Sequence, residues 1–187
     1  MNNRKRIVIG FCGLPGSGKS TAIKAIKIFG TVINMGDLVR KEAKKLNIPE
    51  TDENLGKISR LIREREGKGI LAKKCVDLIQ KSENNIIFID GLRSWEEVEI
   101  FRKRWQFLII AIKTNVRKRF KIISKRNRKD DPKTLKELKR REKREIELGL
   151  TDVIRRADYK IRNSSTKEML KQKTIKIVKK IIEKNYN

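Results

Sequence analysis

The chain has 187 residues, a length suited to one domain with insertions. Its 49 lysines and arginines outnumber 23 acids, for a formal charge of +26, and it contains no histidine. That absence excludes His-liganded zinc or iron, Ser-His and Cys-His nucleophile pairs and imidazole bases; phosphoryl transfer, which relies on positioning and charge neutralisation, suits what is left.

The first six residues are basic, but the apolar stretch that follows is too short for a signal peptide. No run approaches the roughly 20 apolar residues of a membrane span. Cys12 and Cys75 form no C-x-x-C and read as buried, reduced thiols. A cytoplasmic protein with no membrane partner is the expectation.

Residues 7–11 (Ile-Val-Ile-Gly-Phe) form a short apolar run, as in a buried parallel strand. A glycine-rich turn and a helix over 20–29 follow, then a second strand at 31–34. Residues 37–47 and 52–82 read as helices, with Leu55, Ile58 and Ile62, then Leu71, Cys75, Leu78 and Ile79, at three- and four-residue spacing. Gly67 and Gly69 break the longer stretch. A third strand spans 86–90, and Ser94 with Glu97 forms a capping box for the next helix. The fourth strand covers 107–112, and Asn115 can cap the helix after it. A charged helix runs over 132–148, and 159–161 is a short fifth strand. Ser165 with Glu168 marks another capping box. The last helix carries Leu170, Ile177, Val178, Ile181 and Ile182 on one face.

Strands separated by helices imply an α/β three-layer fold with a five-stranded parallel sheet, in one domain over 1–187. The helical stretch between strands two and three is long for a simple crossover. It is expected to form a subdomain over about 35–82.

The run Gly13-Leu14-Pro15-Gly16-Ser17-Gly18-Lys19-Ser20, followed by Thr21, fits G-x-x-x-x-G-K-[ST] between a strand and an amphipathic helix. Glycines let successive backbone N–H groups converge on one anion, with the positive helix end behind them. Lys19 is then expected to reach the β- and γ-phosphates of ATP, and the Ser20 hydroxyl to ligate Mg²⁺. Asp90, ending the third strand, is placed as the second metal-holding group.

Further segments resemble adenylate kinases and related nucleoside monophosphate kinases. Asn34-Met35-Gly36-Asp37-Leu38-Val39-Arg40 is similar to their T-G-D-x-x-R segment. Asp90-Gly91-Leu92-Arg93 resembles their D-G-F-P-R segment, one residue shorter, and Leu55-Gly56 with the following helices resembles their acceptor-binding insertion. The N-M-G-D-x-V-R, T-D-E-N, D-G-x-R-S, R-x-D-D-P-K and A-D-Y patterns resemble those of a small archaeal set of adenylate-kinase-related P-loop proteins. The resemblance spans essentially the whole chain. It implies that Arg40 and Arg93 grip an acceptor phosphate and that Asp37 orients the metal's water shell. Met35 replaces a threonine, and Glu97 a base-reading glutamine, so phosphoryl transfer carries over better than AMP specificity does.

Residues 119–144 resemble the short lid of UMP/CMP-type kinases. The likeness implies that Arg119 stacks on the donor base, that Arg126 follows at similar spacing, and that Arg128, Arg141 and Arg144 neutralise charge on the transferring group. Asp130 and Asp131 then tether or pair with those arginines. Residues 158–164 resemble the loop near the donor adenine.

The functional expectation is ATP/Mg²⁺-dependent transfer to a small phosphorylated acceptor. Three alternatives stand beside it: a dephospho-coenzyme A-type kinase acting on an alcohol, a nucleotide-gated RNA- or ribosome-associated NTPase, and a plain NTP hydrolase. The nucleic-acid alternative rests on the charge: residues 102–144 hold 19 Lys and Arg against 4 acids. Aromatic residues for base stacking are few.

Overall fold

The computed structural model describes residues 6–126, 128 and 130–186. The basic start before Arg6, and positions 127 and 129 of the expected lid, lie outside the described residues.

Five parallel strands form one sheet in the order β2-β3-β1-β4-β5: β1 (Ile7–Cys12), β2 (Thr31–Asn34), β3 (Ile86–Asp90), β4 (Phe107–Lys113) and β5 (Tyr159–Arg162). All six residues of β1 are buried, because this central strand is covered on both faces. Successive side chains point to opposite faces. Val8 and Cys12 therefore join one core, and Ile7, Ile9 and Phe11 the other. The first core is closed by α2 (Met35–Lys45), α3 (Asp52–Glu66), α4 (Ile70–Gln80), α5 (Trp95–Arg102) and α8 (Leu150–Arg155). The second is closed by α1 (Lys19–Ile26) and α9 (Lys167–Tyr186). Between β4 and α8, α6 (Val116–Arg126) and α7 (Leu135–Glu147) carry the charged segment.

Two expectations shift. α2 begins at Met35, directly after β2, because the Asn34 side chain accepts a hydrogen bond from Gly36 N and caps the helix there. The last helix is capped by Thr166, whose hydroxyl accepts from Met169 N, rather than by Ser165. α8 was not anticipated. Six residues with Leu150 and Val153 inward are too few to show a helical period. By contrast, the Ser94–Glu97 capping box and the Asn115 cap form as expected.

β1 is the point where the chain's connections diverge, with β3 on one side and β4 on the other. A crevice outside the carboxyl ends of the strands is the binding position that such a sheet offers. The loop after β1 lies there, and Asp90, ending β3, pairs in register with Phe11.

Candidate functional site

The loop from Gly13 to Ser20 curls through three glycines with positive φ: Gly13 at 147°, Gly16 at 75° and Gly18 at 103°. A Cβ on Gly16 would lie 2.4 Å from the Arg119 carbonyl oxygen, so only glycine fits. The loop is braced from two strands' ends. The Thr114 hydroxyl and Asn163 Nδ2 both donate to Ser17 O, each at 2.9 Å. Lys19 Nζ donates to Gly13 O at 2.8 Å, folding the ammonium back over the loop. Burial pushes this ammonium below its usual range, aided by Arg93 and opposed by Asp90 and Glu145. Asp90 Oδ1 is buried without a hydrogen-bond partner.

Two cavities flank Lys19. The first, of about 170 Å³, is lined from β2–α2 by Asn34, Gly36, Val39 and Arg40, from α3 by Asp52, Leu55, Gly56 and Ser59, and by Asp90, Gly91 and Arg93. Arg126, Arg128, Asp130, Arg141, Arg144, Glu145 and Leu148 close it. Arginines expected on separate segments thus converge here. Seven cations face four carboxylates, leaving the cavity cationic. Arg40 pairs with Asp37 at 3.0 Å and Asp130 at 3.4 Å. Arg141 reaches Asp52 at 3.3 Å, Glu145 at 3.5 Å and the Asp130 carbonyl at 2.9 Å. Arg144 also pairs with Asp52, and Arg93 pairs with Glu145 at 3.2 Å. Asp131 accepts from Arg126 and from Arg128 N, both at 2.9 Å.

The second cavity is a groove of about 1330 Å³. Gly16, Ser17, Gly18, Lys19, Ser20 and Thr21 form its floor. Lys24, residues 115–118, Lys121, Ile122, Lys125, Arg126, Arg128, Asn163, Ser165, Thr166, Lys167 and Leu170 form its walls. Nine of these residues are Lys or Arg and none is Asp or Glu. The two cavities share Lys19, Ser20, Arg126 and Arg128.

Two expected roles change, and Glu97 gains further partners beyond its cap. Arg119 is 4% exposed and lines neither cavity. It donates to the carbonyls of Thr114 and Pro15 and pairs with Glu142, so it braces the phosphate loop and is not free to stack on a base. The Asp37 carboxylate is 68% exposed, pairs with Arg40 and does not line the cavity. Glu97 is fully buried; it pairs with Arg63 at 2.8 Å, and its other oxygen accepts from Arg93 N at 2.7 Å. It fixes the Arg93 loop from behind and reads no ligand. Asp158 likewise holds the sheet, accepting from Ile109 N at 2.8 Å and pairing with Arg102.

Sequence reasoning overlooked Asp52 and Glu145 as site residues. Asp52 stands in the T-D-E-N run, but nothing local connects it to arginines some 90 positions away. Glu145 is one of several glutamates in a charged helix, and only its inward turn, at 7% exposure, separates it from the rest.

Over residues 12–139 the chain matches the AAA domain family. It is 39% identical over 179 residues to a UPF0200/UPF0201 protein of Archaeoglobus fulgidus, covering 93% of this chain but only 55% of that protein. The chain thus spans about half of that relative's length. It is 39% identical to a UPF0200 protein of Methanothermobacter thermautotrophicus, over 95% of this chain and 92% of the relative. A UPF0200 protein of Hyperthermus butylicus is 37% identical, over 90% and 91% of the two chains. Among solved structures, TT1252 from Thermus thermophilus superposes with a TM-score of 0.62 at 17% identity, covering 94% of this chain and 98% of that one. Shikimate kinase from Acinetobacter baumannii in complex with shikimate gives 0.57 at 13% identity, over 98% and 97% of the chains. These likenesses show a P-loop kinase-like fold.

Proposed function

The chain belongs to the AAA domain family and groups with the archaeal UPF0200 proteins; from that premise we propose that it is an ATP- and Mg²⁺-dependent phosphotransferase acting on a small phosphorylated acceptor. The observation that carries this reading is the meeting of two cavities at Lys19 and Ser20. A plain hydrolase needs a nucleotide groove, but not a second cavity into which four segments send arginines. In this reading the groove takes ATP, with the loop amides, Lys19 and the Ser20 hydroxyl on its phosphates. Arg40, Arg93 and Arg144 take the acceptor's anionic group, where planar guanidiniums bind phosphate oxygens in pairs. Arg126, Arg128 and Arg141, on the proposed lid over 119–144, neutralise charge on the transferring group.

Ser20 and Asp90 fit Mg²⁺. A hydroxyl and a carboxylate with a buried, unpartnered oxygen are hard donors, and both border the same cavity. Among the described residues no group of three or more acids or cysteines could hold a metal alone, so nucleotide phosphates would complete the shell. The ion supplies charge neutralisation on those phosphates when bound. No helix among the described residues is long and apolar enough to cross a membrane. Two free, buried cysteines suit a reducing compartment, and a cytoplasmic location is part of the proposal.

An ADP-release assay over nucleoside monophosphates, dephospho-coenzyme A and other phosphorylated alcohols tests the reading. Acceptor-dependent ADP release is expected; hydrolysis indifferent to every acceptor would leave an NTP hydrolase.

A second reading, single-stranded nucleic acid as partner, is favoured by one feature: the groove carries nine cations and no acid. No aromatic residue lines it, so binding would track the backbone. Replacing Lys24, Lys121 and Lys125 by Gln should weaken binding of a labelled RNA oligomer and lower its log–log salt slope by about 2, at roughly 0.7 per phosphate contact. The same change at Lys136, Lys139 and Lys143, exposed on α7, removes equal charge elsewhere. Equal effects from both triples would mean diffuse attraction and no site.

A further inference from the structure

We propose that the nucleophile of the acceptor is a hydroxyl, and that Glu145 is the carboxylate that receives its proton; the acceptor is then a phosphorylated alcohol, held by its existing anionic group. This deepens the phosphotransferase reading and rests on it.

The geometry of Glu145 is the starting point. Its protein partners, Arg93 Nη2 at 3.2 Å and Arg141 Nε at 3.5 Å, both reach Oε1. Oε2 is buried and has no hydrogen-bond partner. The residue is 93% withdrawn from solvent yet lines the acceptor cavity together with Lys19 and the arginines. A buried carboxylate oxygen left without a donor is costly unless a ligand supplies one. Glu145 lines the cavity, and we assign the missing donor to the molecule that fills it.

The chemistry separates two kinds of acceptor. A monophosphate attacks through an oxygen that is already ionised at neutral pH. It brings no proton, and its negative charge would meet the free oxygen of Glu145 as repulsion. An alcohol brings an O–H, which satisfies Oε2 and points its proton toward a base. Arg93, Arg141 and Lys19 surround Glu145; Asp52 and Asp130 share Arg141 with it. Burial alone would push its carboxyl up, but those three cations outweigh burial and keep it ionised. A carboxylate accepting the substrate hydroxyl's proton is an established way to run phosphoryl transfer. The arginines have a separate task. Arg40 of α2 and Arg144 of α7 line the same cavity, where they can hold the phosphate the acceptor already carries.

The step balances. The hydroxyl oxygen forms a bond to the γ-phosphorus of ATP, and its proton passes to Glu145 Oε2. The bond from the γ-phosphorus to the β,γ-bridging oxygen breaks, its electron pair leaving with ADP. Glu145 then releases the proton to solvent.

The test combines product identity with two variants. The wild-type chain is incubated with ATP, Mg²⁺ and either nucleoside monophosphates or phosphorylated alcohols, dephospho-coenzyme A among them, and products are read by phosphorus NMR. A new phosphate monoester is expected. Glu145→Gln should then lower kcat about 100-fold or more, the usual range for losing a general base, with KM for the acceptor changed only a few-fold. Glu145→Asp, which keeps the charge, should recover part of kcat and keep the acidic limb of the pH–rate profile that Glu145→Gln loses. A new pyrophosphate linkage on a monophosphate would overturn the proposal and leave the phosphotransferase reading standing. A Gln variant with unchanged kcat on an alcohol would also overturn it. ADP release that no acceptor stimulates would instead defeat the underlying reading.

Discussion

Lys19 borders both cavities, and its ammonium donates to Gly13 O at 2.8 Å. Phosphate oxygens offer it charge-assisted bonds worth about 1.5–3 kcal/mol each. Lys19→Ala is therefore expected to weaken ATP binding roughly ten- to a hundred-fold per bond lost, measured by calorimetry. An unchanged Kd would remove the loop from nucleotide binding. The loop residues were legible because a phosphate nest demands glycine at set offsets. Asp37 and Arg119 were misread because the same residue types serve as ion-pair partners and braces. Their roles depend on which way each side chain turns. Cys12 shows the same dependence: beside Lys19 and Arg93 a reactive thiolate would be conceivable, yet burial prevails and raises its thiol to about 12.

Elements hold these residues in place through a few buried polar joints. Glu97 does three jobs at the start of α5: it completes the capping box with Ser94, receives Arg93 N, and pairs with Arg63 of α3. Both members of that pair are essentially buried, at 4% and 0% side-chain exposure. Removing one partner from a buried pair leaves an uncompensated charge and costs about 3–5 kcal/mol. Arg63→Met should lower the urea-unfolding free energy by that amount and slacken the Arg93 loop. A loss below 1 kcal/mol would mean that water already reaches Glu97. The pair was invisible in sequence, because α3 and α5 are separated by a whole helix and strand. Strands and caps were far more legible, since each is written in a local run of residues.

For the whole molecule, charge placement outweighs charge amount. The first cavity offsets part of its cationic charge with Asp52, Asp90, Asp130 and Glu145, whereas the groove beside the phosphate loop is left without acids. Two of the site's carboxyls also link stability to pH. Burial would raise Glu145 and Asp131, but Arg93, Arg141 and Lys19 around the first, and Arg126 with Arg128 N on the second, hold both below the usual range. A carboxyl lowered in the fold stabilises fully above its unfolded pKa, about 3.9 for Asp and 4.3 for Glu. That contribution is lost as pH falls through the folded value. Melting temperature should thus hold near neutrality and drop below about pH 4. Glu145→Gln should be less stable at pH 7 and show a shallower acid slope, by up to about 1.4 kcal/mol per pH unit for the one proton removed. An unaltered slope would mean that Glu145 titrates alike in both states.

The sequence alone determined the sheet, its parallel strands, the phosphate loop and the acid at the end of β3. Each follows from short-range chemistry: short apolar runs of strand length bounded by turns, and glycine offsets that suit an anion-binding turn. Runs resembling known kinases also pointed to arginines that line the first cavity. The tertiary structure decided which charges meet. Placing α3 against α7 brings Asp52 to Arg141 and Arg144, and the inward turn of α7 sets Glu145 between Arg93 and Arg141 with one oxygen free. Ion pairing depends on distance in space and on burial, and a chain with 49 cations and 23 acids offers far too many possible pairs to choose among without the fold.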